Sequence, residues 1–148
     1  MIRQNQAPKS NFNSRSTAEE VTAGLDLSGK TILITGCNSG LGLESMRALS
    51  ARGAHCIAAA RTRSKAEQAA AEVGGDSTAV ACELSDLESV ATCADDVHAM
   101  GRPIDVLMSN AGIMALPELQ QKYGLEMHFL TNHLGHFVLV NRLLDRVR

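Results

Sequence analysis

The chain has 148 residues, 45% of them hydrophobic and 20% charged, with a formal net charge of −2. That is the profile of one globular domain with a real core, though a short one for a complete doubly wound enzyme. With no basic excess and only 3% aromatic residues, it argues against a nucleic-acid partner, and no apolar run reaches membrane-spanning length.

Residues 1–15 are polar and rich in Asn, Gln and Ser, so a flexible arm is expected, and it lacks the apolar stretch of a signal peptide. A cytoplasmic location is the corresponding expectation. Ser16 to Glu19 has capping-box spacing and predicts a short helix through Val21. Beyond the turn at 24–29, four runs of apolar or small residues follow: Thr31–Thr35, His55–Ala60, 78–82 and 104–110. They alternate with helical patterns, which predicts a parallel sheet buried on both faces and covered by helices. The helix over 42–52 sets Leu43, Met46 and Leu49 opposite Glu44, Arg47 and Arg52. Ser64 with Glu67, and Ser85 with Glu88, form two more capping boxes at expected helix starts. Leu87, Val90, Ala94 and Val97 then recur at helical spacing. A last helix is predicted from about Tyr123 to the end, with Leu130, Leu134, Phe137 and Leu144 along its apolar stripe. Cys37, Cys56, Cys82 and Cys93 form no CxxC pair and are expected to be reduced thiols.

The most informative segment is Thr31-Ile-Leu-Ile-Thr-Gly-Cys-Asn-Ser-Gly-Leu-Gly42. An apolar strand ends in Gly36, Gly40 and Gly42, and a helix begins at once. Gly36 allows the sharp turn, while Gly40 and Gly42 let the backbone of the first helical turn approach a diphosphate. Asn38 and Ser39 can add side-chain hydrogen bonds there. Asn110-Ala111-Gly112 and Glu83-Leu84-Ser85 close other strands at the same carboxyl edge of the sheet, where ligands bind in open α/β folds. At the end of the second strand stands Arg61, 19 residues past Gly42, with no acid before Glu67. A base in that place accommodates the 2′-phosphate of NADP, so NADP is the expected cofactor, with NAD as the alternative.

Three ordered motifs, Thr35 to Gly42, Ser109 to Gly112 and Asn132-His-Leu-Gly-His-Phe137, resemble the short-chain dehydrogenase/reductase superfamily. Asp26 to Lys30 and Ser16 to Val21 are similar to its retinol dehydrogenase and WW-domain oxidoreductase branch. The resemblance implies an α/β, Rossmann-type parallel sheet covering residues 16–148. It implies the strand order 3-2-1-4, with the family's later strands expected to be missing. It implies hydride transfer between NAD(P)(H) and an alcohol or carbonyl. Gly36, Gly40, Leu41 and Gly42 carry over as the pyrophosphate turn, and Asn110, Ala111 and Gly112 as the segment beside the ribose. Glu83, followed by Leu84, stands where the family usually has the Asp that touches adenine. Asn132 matches the catalytic Asn that kinks its helix and holds a water in a proton relay.

The rest of the family's catalytic set has no match. The chain has one tyrosine, Tyr123, with Met127 four residues later instead of Lys, and it precedes Asn132 instead of following it. It is expected to be a packing residue at a helix start. His128, His133 and His136 lack the spacing and the Cys or carboxylate partners of a metal site, so no metal is expected. The last helix ends at Arg146-Val-Arg148 without a cap, and strand 104–110 is expected to be a bare apolar edge, as in the cofactor half of a longer enzyme. Two readings stay open: part of an oxidoreductase, inactive as this isolated chain, or a short non-catalytic protein that binds a dinucleotide or a partner. Association of two copies through the last helix is expected by the resemblance.

Overall fold

In the computed structural model, which describes residues 10–148, the run Thr31–Thr35 forms strand β1 and His55–Ala60 forms β2. Both are buried along their whole length. Strand β3 spans Ser77–Ala81 and β4 spans Val106–Met108, and the parallel sheet has the order β3-β2-β1-β4. Register is set by pairs such as Leu33 with Ile57, Ala58 with Ala79 and Ile34 with Met108. Burial on both faces, expected of all four strands, holds only for the central two. β3 and β4 are outer strands and are partly exposed.

Side chains alternate across the central strands, as a period of two requires. Leu33, Ile57 and Ala59 face helix α4 (Leu87–Ala99) and helix α5 (His136–Leu143), meeting Val90, Ala94, Val97, Leu139 and Leu143. Ile32, Ile34, Cys56 and Ala58 face helix α2 (Gly40–Ser50) and helix α3 (Arg63–Val73), meeting Met46, Ala66 and Ala69. All four cysteines are buried and free. Burial pushes the Cys37 and Cys56 thiols up to about 11, so they stay neutral packing groups. Among the described residues no helix is long and apolar enough to cross a membrane.

Each predicted capping box is displaced by one or two residues. Helix α1 (Ala18–Thr22) is capped by Thr17, whose hydroxyl accepts from Glu20 while Glu20 reaches back to Thr17. Helix α3 is capped by Thr62, and Glu67 pairs with Arg63 instead. Helix α4 is capped by Asp86, whose Oδ1 accepts the backbone N–H groups of Glu88 and Ser89. Residues 1–9 of the expected arm lie outside the described residues, and 10–17 form no helix or strand.

The last predicted helix differs most. Residues 121–126 form a hairpin, β5 (Gln121–Lys122) against β6 (Leu125–Glu126), and Tyr123 sits at its turn with φ 56°. Tyr123 therefore does not start a helix, and its ring lies under the Lys122 ammonium. A π-helical segment, Phe129–Gly135, then leads into α5. The wider π turn moves every later residue around the axis, so the buried face runs through Leu130, Gly135, Leu139 and Leu143. Phe137, placed on the apolar stripe by its spacing, is 57% exposed. The β4 edge is not wholly bare either. Ile104 pairs with Val147, donating its N–H to Arg146 O at 2.8 Å and accepting from Arg148 N–H at 3.1 Å.

The π segment lies hard against the loop after β3: a Cβ at Gly135 would collide with the Leu84 carbonyl oxygen. Helix propensity alone favours Ala over Gly by about 1 kcal/mol. Because the obstacle is backbone, overpacking outweighs that gain. Gly135→Ala is expected to lose about 1–3 kcal/mol in urea unfolding.

Candidate functional site

The carboxyl ends of β1, β2, β3 and β4 open into one groove of about 590 Å³. Gly36, Asn38, Ser39, Leu41 and Gly42 line one side. Arg61, Glu83 and Leu84 line the end beyond β2 and β3, and Asn110, Ala111 and Gly112 the floor beyond β4. Gly40 and Asn132 are not on its wall. Ser85, which follows Glu83 and Leu84 at the same edge, lines it too, as do Cys82, Ile113, Leu116, Gln120, Met127 and Thr131, which the sequence did not mark as site residues. The last five come from the loop before the hairpin and the helical turns after it, whose position depends on the hairpin that the sequence pattern concealed.

At the α2 N-terminus, Ser39 is the cap residue but its side chain makes no capping bond. The first N–H groups of the helix, with the positive end of its dipole, are thus left to whatever occupies the groove. Glycines let the chain pack closely around that end. A Cβ at Gly36 would lie 2.8 Å from Ala111 Cα, and one at Gly42 would strike the Gly36 carbonyl. Gly36 also has φ 68°, a region side chains avoid. The Asn110 amide fixes the turn by donating to Thr35 O at 2.8 Å.

A buried hydroxyl joins the walls. Thr35 Oγ1 accepts the N–H groups of Asn110 at 3.1 Å and Ala111 at 3.0 Å, and lies 2.9 Å from His136 Nε2. His136 is 7% exposed and its Nδ1 is 3.1 Å from the Asn132 carbonyl oxygen. A carbonyl can only accept, so Nδ1 carries the proton and Nε2 accepts the Thr35 hydroxyl proton. The sequence pattern drew attention to His136 only as a rejected metal ligand; nothing in its spacing points to a strand 101 residues away. Asn132 is engaged as well. Its Oδ1 accepts Ile113 N–H and its Nδ2 donates to Ile113 O, each at 2.8 Å, so its amide pins the loop after Gly112.

The three histidines of the last helix serve separate purposes. His128 bonds Glu126, whose carboxyl is held down at about 2 by the His128 and Phe129 hydrogen bonds. His133 lies between Phe129 and Phe137, with ring centroids at 5.3 and 6.4 Å. Among the described residues no group of three or more His, Cys, Asp or Glu converges as a metal site would.

A model of the short chain dehydrogenase family matches residues 30–148. The chain is 40% identical over 147 residues to chloroplastic short-chain dehydrogenase TIC 32 B of Brassica napus, covering 96% of this chain and 46% of that protein. It is 37% identical over 139 residues to the human WW domain-containing oxidoreductase, covering 90% and 34%. Among solved structures, an uncharacterized protein from Mycobacterium paratuberculosis superimposes with a TM-score of 0.77 at 41% identity, over 89% of this chain and 47% of that one. A metagenomic short-chain oxidoreductase in complex with NADP gives 0.70 at 28% identity, over 81% and 57%. The chain thus spans about a third to a half of the curated relatives' length.

Thr35→Val would keep the shape of the junction and leave the Asn110 and Ala111 N–H groups without their acceptor. A loss of about 1–3 kcal/mol is expected in chemical denaturation, with Thr35→Ser retaining most of the stability.

Proposed function

The chain belongs to the short-chain dehydrogenase family, and from that premise we propose that its groove binds a nicotinamide dinucleotide, NADP(H) in preference to NAD(H). The uncapped α2 N-terminus carries the reading. Its free N–H groups and dipole suit a diphosphate, and the glycines at 36 and 42 let the turn and the first helical turn pack close enough to Ala111 and Asn110 to form the cradle. Gly36, Asn38, Ser39, Gly40, Leu41 and Gly42 would hold the diphosphate, and Asn110, Ala111 and Gly112 would border the ribose on the nicotinamide side. Glu83 and Leu84 would flank the adenine. Arg61, at the end of β2 with no acid beside it in sequence, would take the 2′-phosphate as a charge-assisted pair. When bound, the cofactor supplies or accepts a hydride. These 148 residues hold no tyrosine followed four positions later by lysine. The proton needed for an alcohol or carbonyl therefore has no family-type donor here. Asn132, its amide given to Ile113, acts by shaping the groove floor. The function is thus the dinucleotide-binding part of an oxidoreductase, without turnover by this chain alone.

The exposed ladder of Phe129, His133 and Phe137 on the last helix supports association of two copies through that face.

Calorimetry with NADPH and NADH tests the binding reading, and absence of heat from both would end it. Arg61→Ala is expected to weaken NADPH by about tenfold or more, as loss of a charged hydrogen bond does, and to leave NADH unchanged. Mixing the chain with NADPH and a simple aldehyde should leave absorbance at the reduced nicotinamide band constant. Sedimentation should report dimers that Phe137→Glu converts to monomers; monomeric wild-type protein would contradict the pairing.

A further inference from the structure

Resting on the reading of the groove as a dinucleotide site, we propose that Glu83 sets how strongly it discriminates NADP(H) from NAD(H), by holding the Arg61 guanidinium that the 2′-phosphate needs. The proximity of the two residues is dictated by backbone. β2 and β3 pair in register through Ala60 and Ala81, and Cys82 N–H donates to Ala60 O at 2.7 Å. The residues that leave the two strands therefore emerge side by side. Glu83 is the anchored member. Its own N–H donates to Ser89 Oγ at 3.0 Å, and its Oε1 accepts the Ser85 N–H at 3.1 Å and the Ser85 hydroxyl at 2.8 Å. With one oxygen so fixed, the other lies 3.8 Å from Arg61 Nε. The Glu83 side chain is 31% exposed and that of Arg61 66%, so the acid is set and the guanidinium is the group that moves.

A 2′-phosphate must draw Arg61 away from this carboxylate and then sit near a like charge. A 2′-hydroxyl brings no charge, and it can donate to a carboxylate. Glu83 thus opposes NADP(H) selectively and leaves the site able to accept both cofactors. Exposed charge pairs are weak, so the effect on the NADPH-to-NADH affinity ratio is about threefold to fivefold.

Calorimetric dissociation constants for NADPH and NADH provide the test, because their ratio cancels any adenine contact common to both. Glu83→Gln can still accept from Ser85 but carries no charge, and it should raise the preference for NADPH about threefold to fivefold. Glu83→Asp, shorter by one methylene, should raise it in the same direction. On an Arg61→Ala background the Glu83→Gln effect should shrink to the direct repulsion between carboxylate and phosphate, since the rest of the coupling runs through the guanidinium. An unchanged ratio in both single variants overturns the proposal, as does a change that persists undiminished without Arg61. Wild-type protein that binds neither cofactor overturns the dinucleotide reading itself and this inference with it.

Discussion

One buried hydroxyl determines the shape of this site. Thr35 ends the first strand, and its oxygen receives the two N–H groups of the segment that leaves β4 while its proton goes to His136. Three stretches far apart in the chain, around residues 35, 110 and 136, are thereby brought to one point. Burial makes the arrangement exacting, because an unmet polar group there costs as much as a good hydrogen bond is worth. The close approach of Gly36 to Ala111 is the steric counterpart of the same junction. Together they set the floor of the groove at the height where the α2 N-terminus opens.

The electrostatics of the groove follow from what surrounds that floor. A helix end without a side-chain cap presents positive potential on one wall, and Arg61 presents it at the far end. Glu83, fixed by Ser85, is the opposing acid beside Arg61 at that end. What these residues do not carry is a tyrosine followed four positions later by a lysine. Its one tyrosine projects from a hairpin turn, half out in solvent and off the groove wall.

Much of the architecture was legible because it depends on local periodicity. The strands Thr31–Thr35 and His55–Ala60 read as unbroken apolar runs, and they are the two strands buried throughout. The alternation of strands and helices marked a parallel sheet with helical cover, and the family resemblance supplied the order in which it is built. Helix starts were legible only to within a residue or two, because neighbouring Ser, Thr and Asp compete for the same backbone groups and local geometry selects among them. The last helix was misjudged for a specific reason. Its pattern was read at 3.6 residues per turn, and the π segment breaks that count, leaving Phe137 outside and turning Leu139 and Leu143 inward. The hairpin before it escaped notice because Tyr123, at positive φ, is not a typical turn residue.

By itself the sequence determined the sheet, its helical cover, and a glycine turn that bares a helix N-terminus, since each follows from side-chain size and spacing within a dozen residues. Tertiary structure alone decided which groups meet across long separations. It set His136 on Thr35, bound the Asn132 amide to Ile113, and brought Glu83 within reach of Arg61. Those contacts arise from strand register and from the extra residue in a helical turn. Neither leaves a mark in the local pattern of hydrophobic and polar residues.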